Sequence, residues 1–172
     1  MPIWNDTDIP LAYLISFRSY GTWFHGDARG SIDRFHNRYM SPYIPADPAW
    51  KERNEQRMKS VPLSLNAAQR KAIETAIRDT CLRRDWGLYA FNIRTNHVHT
   101  VVAIGTTKPG IALNALKANA TRQMREDGCW WLSRSPWADK GSKRRLWNER
   151  SVDRAIAYVL YGQGDELPDL DE

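Results

Sequence analysis

Apolar and polar positions along the chain switch between a two-residue and a helical period. Residues 11–18 (LAYLISFR) are an apolar run rich in strand formers and predict a first strand. Asn66 stands where a helix N-cap belongs, ahead of AAQRKAIETAIRDTCLRRDW. In that segment Ala68, Ala72, Ile73, Ala76, Ile77 and Cys81 share one helical face with charge opposite, which predicts an amphipathic helix. Residues 87–93 (GLYAFNI) read as a second strand, Arg94-Thr-Asn as a polar turn, and residues 97–105 (HVHTVVAIG) as a third strand. A second helix fits Ile111–Glu126, with Leu113, Leu116, Ala120 and Met124 inward and Gly128 stopping it. Residues 142–147 suit a short fourth strand, and Ser151–Tyr161 a last helix capped by Ser151 and ended by Gly162. This order predicts an α+β, ferredoxin-like antiparallel sheet with helices on one face and one added C-terminal helix.

Between the first strand and the first helix lies a long irregular stretch, Ser19–Ser64, with a short polar helix expected over residues 51–59. A connection this long inside one domain is usually functional or disordered. Arg18 at its threshold and its His25, Arg29, Arg34, His36 and Arg38, set among Tyr20, Trp23, Phe24, Phe35 and Tyr39, lean towards function. At 172 residues the chain suits one domain, expected over 1–164 with an acidic tail over 165–172. Five of the 20 acidic residues fall in that tail; without them 25 basic residues face 15 acidic ones, a net +10 against +5 for the whole chain. A basic body with eight Trp, seven Tyr and four Phe suits a polyanion that offers flat rings, single-stranded nucleic acid in particular, or else a solvated basic surface over an aromatic core. No apolar run approaches the roughly 20 residues of a membrane span, and no secretory signal is visible. Cys81 and Cys129 are far apart and lack C-x-x-C spacing, so neither a zinc site nor a disulfide framework is indicated and a cytoplasmic setting is expected.

His97 and His99 carry the sharpest chemical signal. Alternate residues of a strand share a face, about 6.5 Å apart, so two imidazoles there can converge on one metal; two histidines this close are also often structural. Val98, Thr100, Val102 and Ile104 then point to the helix-covered side. An H-x-H-x-H hydrolase would need a third histidine at Val101, and a paired H-x-T phosphodiesterase a second copy, so both are disfavoured.

The segment Thr95-Asn-His-Val-His-Thr-Val-Val102 resembles the histidine-bearing strand of the HUH single-tyrosine transposases, which include insertion-sequence and REP-associated tyrosine transposases. Phe17-Arg-Ser-Tyr-Gly-Thr-Trp23, Leu113-Asn-Ala-Leu-Lys117, Gly141-Ser-Lys-Arg-Arg-Leu-Trp147, Ala157-Tyr-Val159 and Gly162-Gln-Gly164 follow in the order of that family. The resemblance covers nearly the whole chain apart from the acidic tail. It implies that His97 and His99 hold one Mg²⁺ or Mn²⁺ and that Tyr158 attacks single-stranded DNA, giving a 5′-phosphotyrosine that is later rejoined. It implies a third ligand about one helical turn past the tyrosine. Position 162 is Gly, and the nearest amide is Gln163, five residues on. At 100° per residue, five residues lie about 140° round the helix, so Gln163 serves only if the helix unwinds at Gly162. Tyr161 competes with Tyr158 as nucleophile. The family's partner is hairpin-forming single-stranded DNA, often met by a homodimer, in a bacterial, nucleoid-associated setting.

Lys140, Lys143, Arg144 and Arg145, near Trp130, Trp131, Trp137 and Trp147, form the expected strand-binding surface, since rings stack on unpaired bases while cations track phosphates. Trp147 and Arg18 belong to the same nucleic-acid-binding set, and Lys117 and Arg122 of the second helix are expected on a hairpin stem. Two rivals stand beside the transposase reading. One is a hairpin-binding protein that has lost cleavage, favoured by Gly162. The other is a small-substrate phosphoesterase, which has no use for the basic, aromatic-rich insertion.

Overall fold

The computed structural model describes residues 8–21, 62–165 and 167. The expected helix over 51–59, the cations and aromatics of residues 22–61, and the acidic tail beyond 165 apart from Leu167 lie outside them. Four strands form one antiparallel sheet: β1 (Ala12–Arg18), β2 (Gly87–Ile93), β3 (His97–Ala103) and β4 (Ser142–Leu146), in the spatial order β2-β3-β1-β4. Helices α1 (Ala67–Arg83) and α2 (Pro109–Glu126) join them, and α3 (Glu149–Tyr161) closes the described chain. This is the ferredoxin-like arrangement expected from the element order.

The register of β1 on β3 decides which side chains share a face. Ile15 faces Thr100, Ser16 faces His99, Phe17 faces Val98 and Arg18 faces His97. Ile15, Phe17, Val98 and Val102 therefore meet Ile73, Ile77, Leu116 and Met124 of α1 and α2 in the main core. Trp137 seals its end, edge-to-face on Phe17 with centroids 4.8 Å apart, and its indole N–H donates to Lys117 O at 3.0 Å. The opposite face is thinner. Ala12, Ala90, Val101 and Leu146 pack there against Ala155 and Val159 of α3. Among the described residues no helix is long and apolar enough to cross a membrane.

Local chemistry moves two sequence expectations. Ala68 is exposed and Gln69 is buried in its place. Gln69 completes a capping box, its Oε1 accepting from Asn66 N at 3.0 Å while Asn66 Oδ1 accepts from Gln69 N at 2.8 Å. Its Nε2 is then satisfied by Cys129 O at 3.0 Å, so this polar side chain is buried without an orphan donor. The cap of α3 is Asn148, not Ser151. Asn148 Oδ1 accepts from Ser151 N at 2.9 Å, so the helix starts at Glu149. Smaller shifts start α2 at Pro109, β1 at Ala12, and end β3 at Ala103.

The ends of the long connection are tied to the β2–β3 turn. Ser19 N donates to Asn96 O at 3.0 Å, Leu63 N to Tyr20 O at 2.9 Å, and Leu65 N to Thr95 O at 2.6 Å. The chain therefore leaves and re-enters the domain at one place, beside His97.

Gly141, just before β4, packs closely against β1 and α2. A Cβ there would lie 2.6 Å from Ser16 O and 2.9 Å from a Leu113 methyl. Gly141→Ala should cost roughly 1–3 kcal/mol through overpacking, read as a lower urea midpoint; an unchanged midpoint would show that β4 shifts freely.

Candidate active site

The face of the sheet opposite the main core carries a row of polar side chains. By register Ser142, Ser16, His99 and Asn92 lie side by side across β4, β1, β3 and β2, with Arg18 and His97 in the next row. The imidazole centroids of His97 and His99 are 4.8 Å apart at 67°. Each ring is held by a polar neighbour. His97 Nδ1 lies 2.6 Å from Asn96 Oδ1, and His99 Nδ1 contacts Ser16 Oγ. Asn96 and Ser16 thus orient the histidines, as partners of metal-bound imidazoles commonly do.

Both histidines are kept neutral. Burial is the main cause of a lowered His97 pKa; Gln163 opposes it, and the charges of Arg18 and Arg94 add to it. Burial, then His97 and Arg18, pull His99 down to about 3, again with Gln163 opposing. A neutral imidazole keeps one lone pair, which is the form a metal binds.

Helix α3 reaches this row from above. The Tyr158 ring lies edge-on to His99, with centroids 5.5 Å apart, and the residue is 50% exposed. Tyr161 is 82% exposed. The helix stops at Tyr161, and Gly162 N closes its last turn on Tyr158 O at 2.9 Å. A Cβ at 162 would sit 2.7 Å from Tyr158 O and 3.1 Å from its ring, so this turn needs a glycine. Beyond it Gln163 returns to the sheet. Its Nε2 donates to Tyr158 O at 3.2 Å, and its Oε1 lies 3.1 Å from His97 Nε2.

This geometry tests whether the residues fit a divalent metal. An Nδ1–H given to Asn96 leaves His97 Nε2 with its lone pair, and an amide N–H given to Tyr158 O turns Gln163 Oε1 towards that lone pair. Two acceptors then face each other at 3.1 Å. Ligands about 2.1 Å from an octahedral ion are about 3.0 Å apart along a cis edge, so the separation suits a shared cation. Among the described residues no three His, Cys, Asp or Glu gather as a metal site, here or elsewhere, so a third protein ligand at the paired histidines would have to be of another type, such as the Gln163 amide. The donors fit.

The expected DNA-binding residues divide. Arg18 lies on the histidine face opposite His97, and its charge bears on both rings. In β4, Arg144 pairs with Leu14 on that same face, whereas Lys143 and Arg145 pair with Ile15 and Tyr13 and point to the other side. The expected single basic cluster is therefore split by strand alternation. Lys117 is a loop anchor rather than a free surface cation, its Nζ donating to Ala138 O and Lys140 O, both at 2.9 Å. Lys140 is exposed, with a positive φ in that loop. Arg122 is exposed, 4.0 Å from Glu126. Trp147 is about half exposed and Trp131 is 80% exposed, while Trp130 and Trp137 are buried. Sequence reasoning gave no role to Ser16, Asn92 or Asn96. Asn96 was visible as the residue preceding the H-x-H pair, and Ser16 as a polar break between Leu14 and Arg18 on one strand face.

The sequence matches the family model described as Transposase IS200 like over residues 58–150, more than half of the chain. The protein belongs to the IS200-like transposase family. The matched span includes His97 and His99 and ends before Tyr158. Among solved structures, one of a REP-associated tyrosine transposase bound to a REP hairpin is similar with a TM-score of 0.44 and 12% identity. That likeness covers 88% of this chain and 66% of that one, so this chain spans just under two thirds of that protein's length. No curated protein matches significantly.

A histidine whose pKa falls on folding binds its proton more readily in the unfolded chain. The contribution of His99 to stability is therefore complete above the usual 6.5 and is lost as pH falls towards about 3. In EDTA, the urea midpoint of the wild type should drop more between pH 7 and pH 5 than that of His99→Asn. Parallel pH profiles would contradict the burial of this ring.

Proposed function

We propose that this transposase cuts and rejoins single-stranded DNA by transesterification, with Tyr158 as nucleophile and His97, His99 and Gln163 as ligands of one Mg²⁺ or Mn²⁺. The observation that carries this reading is that one helix end brings both Tyr158 and Gln163 to the paired histidines. When bound, the ion would neutralise the scissile phosphate and orient it for in-line attack.

The protein's own residues supply the rest. The half-exposed Tyr158 can pass its proton to water as its oxygen attacks phosphorus. The new bond joins Tyr158 Oη to the 5′-phosphate, and the bond to the 3′-oxygen breaks, that oxygen taking a proton from water. One phosphodiester is exchanged for another, so rejoining by the reverse attack needs no external energy source. Arg18 and Arg144, on the histidine face, have the charge and placement to receive the flanking phosphates. Hairpin-forming single-stranded DNA is the substrate this reading implies. The rival without cleavage drew on Gly162; the return of Gln163 through that glycine favours the cutting enzyme.

Incubation with a single-stranded hairpin oligonucleotide and Mg²⁺ or Mn²⁺ should give a covalent protein–DNA adduct on a denaturing gel. Tyr158→Phe should remove it entirely, and Tyr161→Phe should leave at least half. Peptide mapping that finds DNA on Tyr161 would overturn the assignment.

His97→Ala should lower adduct formation at least 100-fold while changing hairpin affinity less than about threefold. Near wild-type cutting by this variant, with Mg²⁺ restored after EDTA treatment, would remove the metal role.

A further inference from the structure

We propose that Arg94 is a positioning residue for the metal site, tying down the chain after α3 so that Gln163 stands against His97. The inference rests on the metal-binding reading of His97, His99 and Gln163. Gln163 lies beyond the end of α3, so no helical bond fixes its backbone. A long side chain on such an end makes a poor ligand unless its segment is held from both sides.

Two residues of β2 and its following turn do the holding. Asn92 Nδ2 donates to Val159 O at 2.9 Å, a last-turn carbonyl of α3. Arg94 Nη1 donates to Asp165 O at 2.7 Å. Gln163 is thus bracketed by anchored carbonyls four residues before it and two residues after it. Gly164 between them takes a positive φ of 89°, and a Cβ there would lie 3.7 Å from Arg94 Nη2, so the guanidinium packs close along the segment. A guanidinium N–H is the stronger kind of donor to a carbonyl, and its planar fork holds direction as well as distance. The same turn presents Asn96 to His97, so one tight turn orients two of the three donors.

Charge and position predict opposite results for Arg94. Its positive charge bears on His97, so its loss alone should tighten cation binding. Loss of the tether should weaken it. The 172-residue chain is titrated with Mn²⁺ alone by calorimetry, as wild type, Arg94→Ala, Arg94→Lys, Gln163→Ala, His97→Ala and the double variant Arg94→Ala with Gln163→Ala. We expect Arg94→Ala to raise Kd about 10-fold, within the range for residues that orient metal ligands. Arg94→Lys, which keeps the charge and one donor, should fall between it and the wild type. The double variant should bind no more weakly than Gln163→Ala, because Arg94 acts through Gln163. Equal or tighter binding by Arg94→Ala overturns the proposal, as does full addition of the two losses in the double variant. If His97→Ala and Gln163→Ala weaken binding while Arg94→Ala does not, the tether alone falls. If the wild type takes up no Mn²⁺, or His97→Ala binds as the wild type does, the metal reading falls and the tether with it.

Discussion

The pairing of β1 with β3 is the constraint on which the rest of the molecule depends. Strand side chains alternate between faces, so a slip of one residue would turn His97 and His99 into the main core and Val98 outward. The core forbids that slip, because Ile15, Phe17, Val98 and Val102 are buried together under α1 and α2. The large apolar residues thereby hold the register, and the register places Ser16 beside His99 and Arg18 beside His97. Stability and chemistry occupy opposite faces of the same strands.

On the chemical face, the geometry depends on where a helix stops. An unbroken α3 would turn position 163 away from Tyr158's side of the helix. The glycine at 162 has no Cβ to strike Tyr158 O, which lets the chain fold back and lets that oxygen take a second donor from Gln163. The chain thereby brings an amide to His97 from five residues past the tyrosine, where an unbroken helix would not.

Much of this was legible in the sequence, for physical reasons that differ between elements. The strands and helices showed because the two periods are clear, and the H-x-H face showed because alternation needs no tertiary information. Gln163 was legible only as a condition, unwinding at Gly162, since ideal helical geometry opposed it. Alternation along β4 separates Arg144 from Lys143 and Arg145, although charge alone groups them. The partners of the histidines were harder to see, because Ser16 meets His99 only through strand register. Lys117 reads as a surface cation on its helix; only the loop that returns over it reveals its carbonyl partners. Asn148 outcompeted Ser151 as the cap because its side chain reaches the amide of the residue three places on.

The second, thin core has a consequence for how the protein comes apart. Helix α3 buries only Ala155 and Val159, whereas α1 and α2 bury Ile73, Ile77, Leu116 and Met124. Lifting α3 off the sheet would uncover this smaller core, Ala12, Val101 and Leu146 included, and leave the larger one intact, so α3 is the element expected to open first. Tyr158 rides on that element and Gln163 just beyond its end, while His97 and His99 sit on β3, a strand paired on both sides. The candidate site therefore lies on the seam between the sheet and α3, and whatever loosens the smaller core or the Asn92 bond to Val159 O would part Tyr158 from the histidines.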